Sequence, residues 1–284
     1  CEKLFCAPCP RAPCWPAVPW VLGMRVHEGV GFQFVVVAAP ALLAVLVRGR
    51  LLPAAMSAWS TFMPLGLASA LLGAPLLAQW GWQGVWWLGA GLAIAFAGLV
   101  LVTVPRTETC PAAPGSMLAG LAQLWRARLP MLLALLFALF ATTYFAVFGF
   151  LPLLLRQGLP AAGVGENVLS AVAIGASALG NVFAGALLAR GVRPASLCAV
   201  AFALLAGCSI LFFGSEASGW WGIGTCVVFG AVAGLIPTAL LVAAPGSVPS
   251  PGLAGLLMGL LMQANNVGIV VGPALAGSLA TRVG

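Results

Sequence analysis

Long apolar runs of about 20 residues, separated by short segments with arginine, proline or glycine, fill most of the chain. The runs do not alternate apolar and polar positions as half-buried strands do, and each can cross a bilayer as a helix. We predict eight spans, at roughly residues 25–47, 53–79, 84–104, 130–155, 168–189, 195–213, 220–244 and 253–280. Because helices satisfy their own backbone polar groups in lipid, the pattern predicts an all-α membrane protein.

The composition supports a membrane protein and argues against other classes. Of the 284 residues, 62% are hydrophobic and 6% are charged, whereas about a quarter of a soluble domain is charged. The net charge of +7 would point to nucleic acid in a soluble protein, but arginines in short loops between spans are explained by membrane topology. We therefore expect the lipid bilayer as a partner, and no nucleic acid.

Few residue types suited to catalysis are present. The chain has no aspartate, five glutamates and one histidine, whereas membrane enzymes usually rely on these residues for acid–base or metal chemistry. The sequence also has no glycine-rich loop of the phosphate-binding type, which argues against ATP-driven transport by this chain. A membrane enzyme is thus the least favoured function, and we expect no catalytic residue, no metal and no cofactor.

Proline-rich stretches divide the chain into four predicted parts. Residues 1–22 form an irregular segment with four of the eight cysteines, for which an iron–sulfur or zinc site is a minor alternative. Residues 23–104 hold three spans and residues 130–284 hold five. Between them, residues 105–129 form a linker that ends in an amphipathic helix on the cytoplasmic face or in an ordinary loop.

The distribution of arginine predicts the orientation of the spans. Arginines cluster in alternate connections, at Arg48 and Arg50, at Arg106, Arg126 and Arg128, and at Arg190 and Arg193. The positive-inside rule assigns these connections to the cytoplasm. The first predicted span then starts outside, so we expect additional spans upstream. The expected location is a bacterial-type inner membrane.

The last predicted span carries a group of polar residues followed by a glycine–proline corner. Gln263, Asn265 and Asn266 either hydrogen-bond a substrate or join helices, as polar residues do in membranes. Gly272 lies four residues after another glycine, a spacing that lets a neighbouring helix approach closely. Pro273 is expected to bend this helix.

A faint internal repeat links the last span to an earlier one. A shift of 198 residues places Pro273 on Pro75 and Pro251 on Pro53, so two prolines fall at the same points of the two helices. Parallel repeats of membrane helices indicate a transporter built from two halves.

Three motifs in this order resemble the major facilitator superfamily. Leu22-x-x-Arg25-x-x-Glu28-Gly29-x-Gly31 is similar to its fourth-helix motif. Gly185-x-Leu187-x-x-Arg190-x-x-Arg193 is similar to the loop motif after its eighth helix, with Ala189 in place of an aspartate. The third motif is the proline corner at Gly73-Ala74-Pro75 and Gly272-Pro273, with Ala74 in place of a glycine. On this resemblance the spans correspond to helices four to eleven of twelve, a bundle incomplete at both ends.

A further run, Ala58-Trp59-Ser60-Thr61-Phe62-Met63-Pro64-Leu65-Gly66, is similar to the cyanate and nitroimidazole branch of that superfamily. The resemblance also implies that Arg25 lines the central cavity and acts, with Glu28, in substrate binding or proton coupling. A buried ionisable residue in a span is a candidate functional residue in any case. The alternative is that Arg25 extends to the outer interface and pairs with Glu28.

The remaining candidates are weaker. Tyr144 and Thr142 either face the cavity or serve packing, and Asn181 either lines the cavity or joins helices. A structural or gating role is expected for the motif residues Gly73, Pro75, Gly185, Arg190, Arg193, Gly272 and Pro273.

These observations together predict a secondary active transporter that moves a small anionic or polar solute by alternating access, with proton coupling left open. An arginine in the cavity is what favours an anion. The main alternative is a non-transporting remnant, because a bundle lacking helices would have an incomplete cavity. The expected partners are the bilayer and a small-molecule substrate.

Overall fold

The computed structural model describes residues 18–47, 49–103, 116–151, 165–214 and 220–283. The described residues form α-helices joined by short turns and contain no β-strand. The helices are α1 (Val18–Leu46), α2 (Leu51–Ser60), α3 (Phe62–Thr103), α4 (Met117–Arg126), α5 (Arg128–Phe148), α6 (Glu166–Ala189), α7 (Pro194–Gly214), α8 (Trp220–Ala233), α9 (Leu235–Ala243) and α10 (Ala254–Val283). Short 3₁₀ turns at Ala244–Gly246 and Pro251–Leu253 connect the last two helices.

The prediction of eight membrane spans in an all-α bundle is confirmed for the described residues. The spans are Leu22–Leu46, Leu51–Gly81, Gln83–Thr103, Arg128–Phe148, Glu166–Ala189, Pro194–Leu211, Trp221–Gly246 and Ala254–Leu279. The largest difference is at the fourth span, where α5 ends at Phe148 and the predicted continuation from residue 152 lies outside the described residues. Residues 1–17, Arg48 and Arg106 also lie outside them, and with them the segment for which an iron–sulfur or zinc site was the minor alternative, and part of the arginine pattern.

Two of the spans each lack one helical hydrogen bond near the middle, although the backbone keeps helical angles, with φ −75° and ψ −15° at Thr61 and φ −62° and ψ −19° at Gly234. We call these two positions the interruptions. The second span passes from α2 to α3 at Thr61, and the seventh passes from α8 to α9 at Gly234. Each interruption is followed three residues later by a proline, Pro64 or Pro237. Because proline has no N–H, Pro64 leaves the carbonyl of Ser60 without its usual helical donor. The interruptions therefore expose backbone polar groups inside the bundle.

A glycine marks the turn between two spans, and a further proline lies within an unbroken helix. The turn between the second and third spans falls at Gly81, with φ 69° and ψ 172°, in the region of backbone conformation that favours glycine. Gly81 lies in the uncharged, aromatic segment Trp80-Gly81-Trp82-Gln83. By contrast, α10 continues as one helix through Pro273.

The helix α4 lies against one end of the bundle. Its N-terminus is capped by Ser116, whose hydroxyl oxygen accepts a hydrogen bond of 3.2 Å from the Ala119 N–H. Leu124 is fully buried, and Gly120 lies directly under the side chain of Leu253, while Trp125 is 67% exposed. The predicted amphipathic helix of the linker is therefore present, and its position on the cytoplasmic face stays a prediction.

Glycines bring α5 and α10 into backbone contact. A Cβ at Gly268 would lie 2.5 Å from the carbonyl oxygen of Ala138, and one at Gly272 would collide with the carbonyl oxygen of Thr142. Without a hydrophobic driving force between helices in lipid, such small residues permit the close packing that holds helices together. The close approach expected from the glycine spacing is present here.

A second backbone contact joins α6 to α8 and to the start of α9. A Cβ at Gly180 would collide with the carbonyl oxygen of Ala231, and one at Gly234 would collide with that of Ser177. Burial differs strongly between spans. More than half of the apolar stretch of α6 is buried, whereas none of Gln83–Thr103 is. The exposed apolar surface of the latter is suited to lipid.

Candidate functional site

A cavity lies where the two interrupted spans meet α1, α5, α6 and α10. It contains about 690 Å³ of empty space, including the part open to the outside. Met63 and Pro64 line it beside the first interruption, and Gly234 and Pro237 line it beside the second. The cavity is thus bordered by two prolines that each remove one helical hydrogen bond, while the backbone beside them stays helical.

Aromatic side chains dominate the lining. Seven of the nineteen lining residues that the structure describes are aromatic, namely Phe32, Trp59, Phe62, Phe137, Phe140, Tyr144 and Phe145. The rings of Trp59 and Phe62 lie with centroids 4.8 Å apart and planes inclined by 33°, and the centroids of Phe32 and Phe62 are 6.4 Å apart. We call Phe32, Trp59 and Phe62 the aromatic wall.

The polar residues of the described lining carry no charge. They are Ser60, Tyr144, Ser177, Asn181, Asn265 and Asn266, and none of the described lining residues is Asp, Glu, Lys, Arg or His. The chain therefore meets a bound solute with hydroxyl and carboxamide groups among aromatic rings. Such a mixture of a mostly apolar cavity and a few polar groups is typical of small-molecule sites.

Asn181 joins three helices at the edge of the cavity. Its Nδ2 donates to the carbonyl oxygens of Ser177 at 3.0 Å and Ser60 at 3.3 Å. Its Oδ1 accepts a hydrogen bond of 2.9 Å from the hydroxyl of Thr238. Ser60, Asn181 and Thr238 lie on three different helices, α2, α6 and α9. We call these three residues the polar clasp.

The clasp supplies the hydrogen-bond donor that is missing at the first interruption. The carbonyl that Pro64 deprives of its helical donor is that of Ser60, and this is the carbonyl that Asn181 binds. An unpaired backbone group in an apolar membrane environment costs several kcal/mol. Since Asn181 is 1% exposed and Thr238 is fully buried, the clasp stabilises the interrupted span from within.

Asn265 and Asn266 differ from Asn181. Both are half-buried and line the cavity, and no hydrogen bond joins either side chain to any residue that the structure describes. Each carboxamide offers two N–H donors and one carbonyl acceptor. We call these two residues the amide pair. Gln263 lies on the same helix but is exposed and is outside the described lining.

Of the two candidates on α5, Tyr144 lines the cavity and Thr142 does not. Tyr144 is 5% exposed, lines the cavity and lies within hydrogen-bond distance of the Ser177 hydroxyl, at 3.3 Å. Thr142 is half-buried, outside the lining, and its hydroxyl donates to the Ala138 carbonyl of its own helix at 2.8 Å.

Arg25 and Glu28 form an ion pair outside this cavity. The Arg25 guanidinium donates to a Glu28 carboxylate oxygen at 2.7 Å, and the two side chains are 57% and 60% exposed. The guanidinium also lies over the ring of Trp86, with 4.8 Å between its central carbon and the ring centroid. The pairing that spacing on one helix face allowed is present, while the role of both residues stays a prediction.

The motif residues lie in three places. Gly185 lets α6 touch α2, since a Cβ there would lie 2.5 Å from the Ser57 hydroxyl oxygen. Arg190 and Arg193 are exposed in the turn after α6. In this turn Gly191 has φ 93°, its N–H donates to the Leu188 carbonyl at 3.0 Å, and the N–H of the next residue, Val192, donates to the Leu187 carbonyl at 3.1 Å.

The two proline corners are not equivalent in the structure. At Gly272, before Pro273, the backbones of α10 and α5 touch, whereas a Cβ at Gly73 would make only ordinary contact with Leu77, at 3.7 Å. Pro75 lies inside α3 without a break in the helix. Close packing is thus present at the second corner, and gating at either corner stays a prediction.

Several residues of the site were not singled out as site residues from the sequence. Thr238 and Gly234 had no motif, and the aromatic wall comes from three different helices. One local signal was available: Pro64 lies four residues after Ser60, and this spacing always frees the earlier carbonyl. Five of the nine residues quoted for the branch resemblance, residues 58–66, line the cavity.

A bundle of membrane-spanning helices with a partly polar cavity between them is an architecture that secondary transporters use. The model of the Major Facilitator Superfamily matches residues 4–273 of this chain. The chain therefore belongs to the major facilitator superfamily and is an integral, multi-pass membrane transporter. Among curated proteins and solved structures, no significant match was found. The match concerns the superfamily as a whole, so the cyanate and nitroimidazole branch stays a prediction.

Proposed function

We propose that this chain moves a small polar solute across a bacterial-type inner membrane by alternating access, with the cavity as its binding site. The observation that carries the proposal is the amide pair, whose carboxamides line the cavity and have no hydrogen-bond partner among the described residues. Polar groups left open toward a cavity are suited to a ligand, because an unpaired polar group is unfavourable once water is excluded.

A second version of the proposal is an anionic solute. It rests on Arg25, which is the basic residue of the fourth-helix motif and could supply a positive charge. In the structure this charge is paired with Glu28 and lies outside the cavity. Anion transport, or proton coupling through this pair, would require the pair to separate during the transport cycle.

Uptake into proteoliposomes tests both versions. Purified protein is reconstituted, and uptake of radiolabelled neutral and anionic small molecules is measured with and without an imposed pH gradient. We expect saturable uptake that falls at least about tenfold in N265L/N266L, as the loss of one or two ligand hydrogen bonds implies. As a matched control, Gln263→Leu removes a carboxamide outside the lining of the same helix and should retain uptake. Equal loss in the control and the double variant would contradict the assignment of the site.

A further inference from the structure

The aromatic wall gives the cavity a preference in shape. Trp59 and Phe62 are inclined by only 33° with 4.8 Å between their centroids, and Phe32 continues the row at 6.4 Å from Phe62. All three rings line the cavity, and none of them is fully buried. Rings of this kind bind another flat ring by stacking or by edge contact, with a gain beyond that from the buried area.

The remaining walls add further rings. On α5, Phe140 and Tyr144 have centroids 5.5 Å apart, and Phe137 lies 6.0 Å from Phe140. These three residues are buried, so this row forms a fixed surface, whereas the aromatic wall is partly open. A solute between them meets ring faces and edges from several helices.

The absence of charged side chains from the described lining favours an uncharged ligand. A charged ligand moved from water into an apolar cavity loses its hydration, and this loss is offset only by an opposite charge or by several hydrogen bonds. The described lining has no ionisable acid or base apart from the phenol of Tyr144. A neutral ligand loses less hydration, and a few hydrogen bonds from the lining can offset that loss.

The amide pair gives a preference in hydrogen bonding. The two carboxamides occupy consecutive positions of α10, and each presents donors and an acceptor toward the cavity that no described residue satisfies. Asn181, the third carboxamide of the lining, is already saturated by Ser60, Ser177 and Thr238. A ligand edge with both a donor and an acceptor, such as a carboxamide or a lactam, complements the amide pair.

We infer that the solute bound here is a flat, uncharged molecule with an aromatic ring and an amide-like edge. The ring packs on the aromatic wall, and the edge pairs with Asn265 and Asn266. This inference rests on the proposed function in one respect, since it takes the transport cavity as the binding site, but binding can be measured without transport.

The test is a binding titration of the full chain in lipid nanodiscs with matched ligands. The probes are benzamide and nicotinamide, their carboxylates benzoate and nicotinate, and the non-aromatic cyclohexanecarboxamide, each titrated by calorimetry into the millimolar range. We expect at least one aromatic amide to bind, and its carboxylate and the cyclohexane analogue to bind at least about tenfold more weakly.

Two variants assign the contacts. Trp59→Leu should remove the preference for the aromatic amide over the cyclohexane amide, and N265L/N266L should remove the preference for the amide over other neutral aromatics such as toluene. The variant Gln263→Leu should change neither preference. Variants are compared only where circular dichroism and size-exclusion chromatography match the unaltered protein.

The outcomes separate this inference from the proposed function. Carboxylates that bind as tightly as the amides, or a complete lack of binding by the aromatic amides, would overturn the inference even if another solute is transported. Aromatic amides that bind with the stated preferences but are not taken up into proteoliposomes would support the inference and contradict the proposed transport.

Discussion

The cavity has two sides whose polar side chains are used in different ways. On the side of α6, α8 and α9, backbones touch through Gly180 and Gly234, and the carboxamide of Asn181 has every hydrogen-bonding group satisfied. On the other side, the aromatic wall is partly open and the amide pair has no partner among the described residues. We call these the packed side and the open side.

The comparison shows that residue type alone does not assign a role. Asn181, Asn265 and Asn266 are chemically identical and all line the cavity. What separates them is the presence of partners, because a saturated carboxamide holds helices together while an open one can bind a solute. Substitutions on the packed side should therefore change stability, and those on the open side should change binding.

The largest effect is expected at Gly234 on the packed side. In Gly234→Ala the added Cβ collides with the Ser177 carbonyl, a backbone atom that cannot turn away. We expect a loss of about 3 kcal/mol in the free energy of unfolding, measured by SDS titration. The control is Gly66→Ala, an exposed helical glycine with open space around its Cβ position, which should leave stability unchanged or slightly raised. Similar losses of unfolding free energy in both variants would show that the close contact is not the cause.

The next effect is expected from Asn181→Leu. It leaves the Ser60 carbonyl without its donor, and the loss in unfolding free energy should be about 2 kcal/mol. Thr238→Val removes only the hydroxyl that binds Asn181 and should cost less. A double-mutant cycle of these two changes measures their coupling, and strictly additive losses would mean that the clasp does not act as a unit.

A smaller effect on stability separates the open side from the packed side. Asn265→Leu should change the free energy of unfolding by less than about 0.5 kcal/mol, because no hydrogen bond to the described residues is lost. Ligand affinity should fall severalfold in the same variant, as measured by titration. A loss of stability as large as that of Asn181→Leu would show that the two sides do not differ as described.

A small effect on stability is also expected from Arg25→Ala. Exposed ion pairs contribute between about 0 and 1 kcal/mol, so the midpoint of SDS unfolding should scarcely move. If the solute is uncharged, its uptake should also persist, whereas Arg25→Lys serves as the control that keeps the charge. Uptake lost in Arg25→Ala, retained in Arg25→Lys and unaccompanied by loss of stability would place Arg25 in the solute pathway.

Hydropathy was enough to predict the spans, because length and continuous apolarity are local properties of the chain. The close contact at Gly272 followed from glycine spacing for the same reason. The clasp could not be predicted, since Asn181 and Ser60 are 121 positions apart and nothing local shows which helix faces the freed carbonyl. The aromatic wall likewise depends on how α1, α2 and α3 are arranged in space.

The glycine contacts have a consequence for genetic suppression. When two side chains collide, a smaller residue on the partner helix can restore the fit. At Gly180 and Gly234 the partner atom is a main-chain carbonyl oxygen, which every residue type possesses, so no exchange at Ala231 or Ser177 can make room. Revertants of a defect at these glycines should therefore map to the original codon or to residues that shift the whole helix, and not to the contacted position.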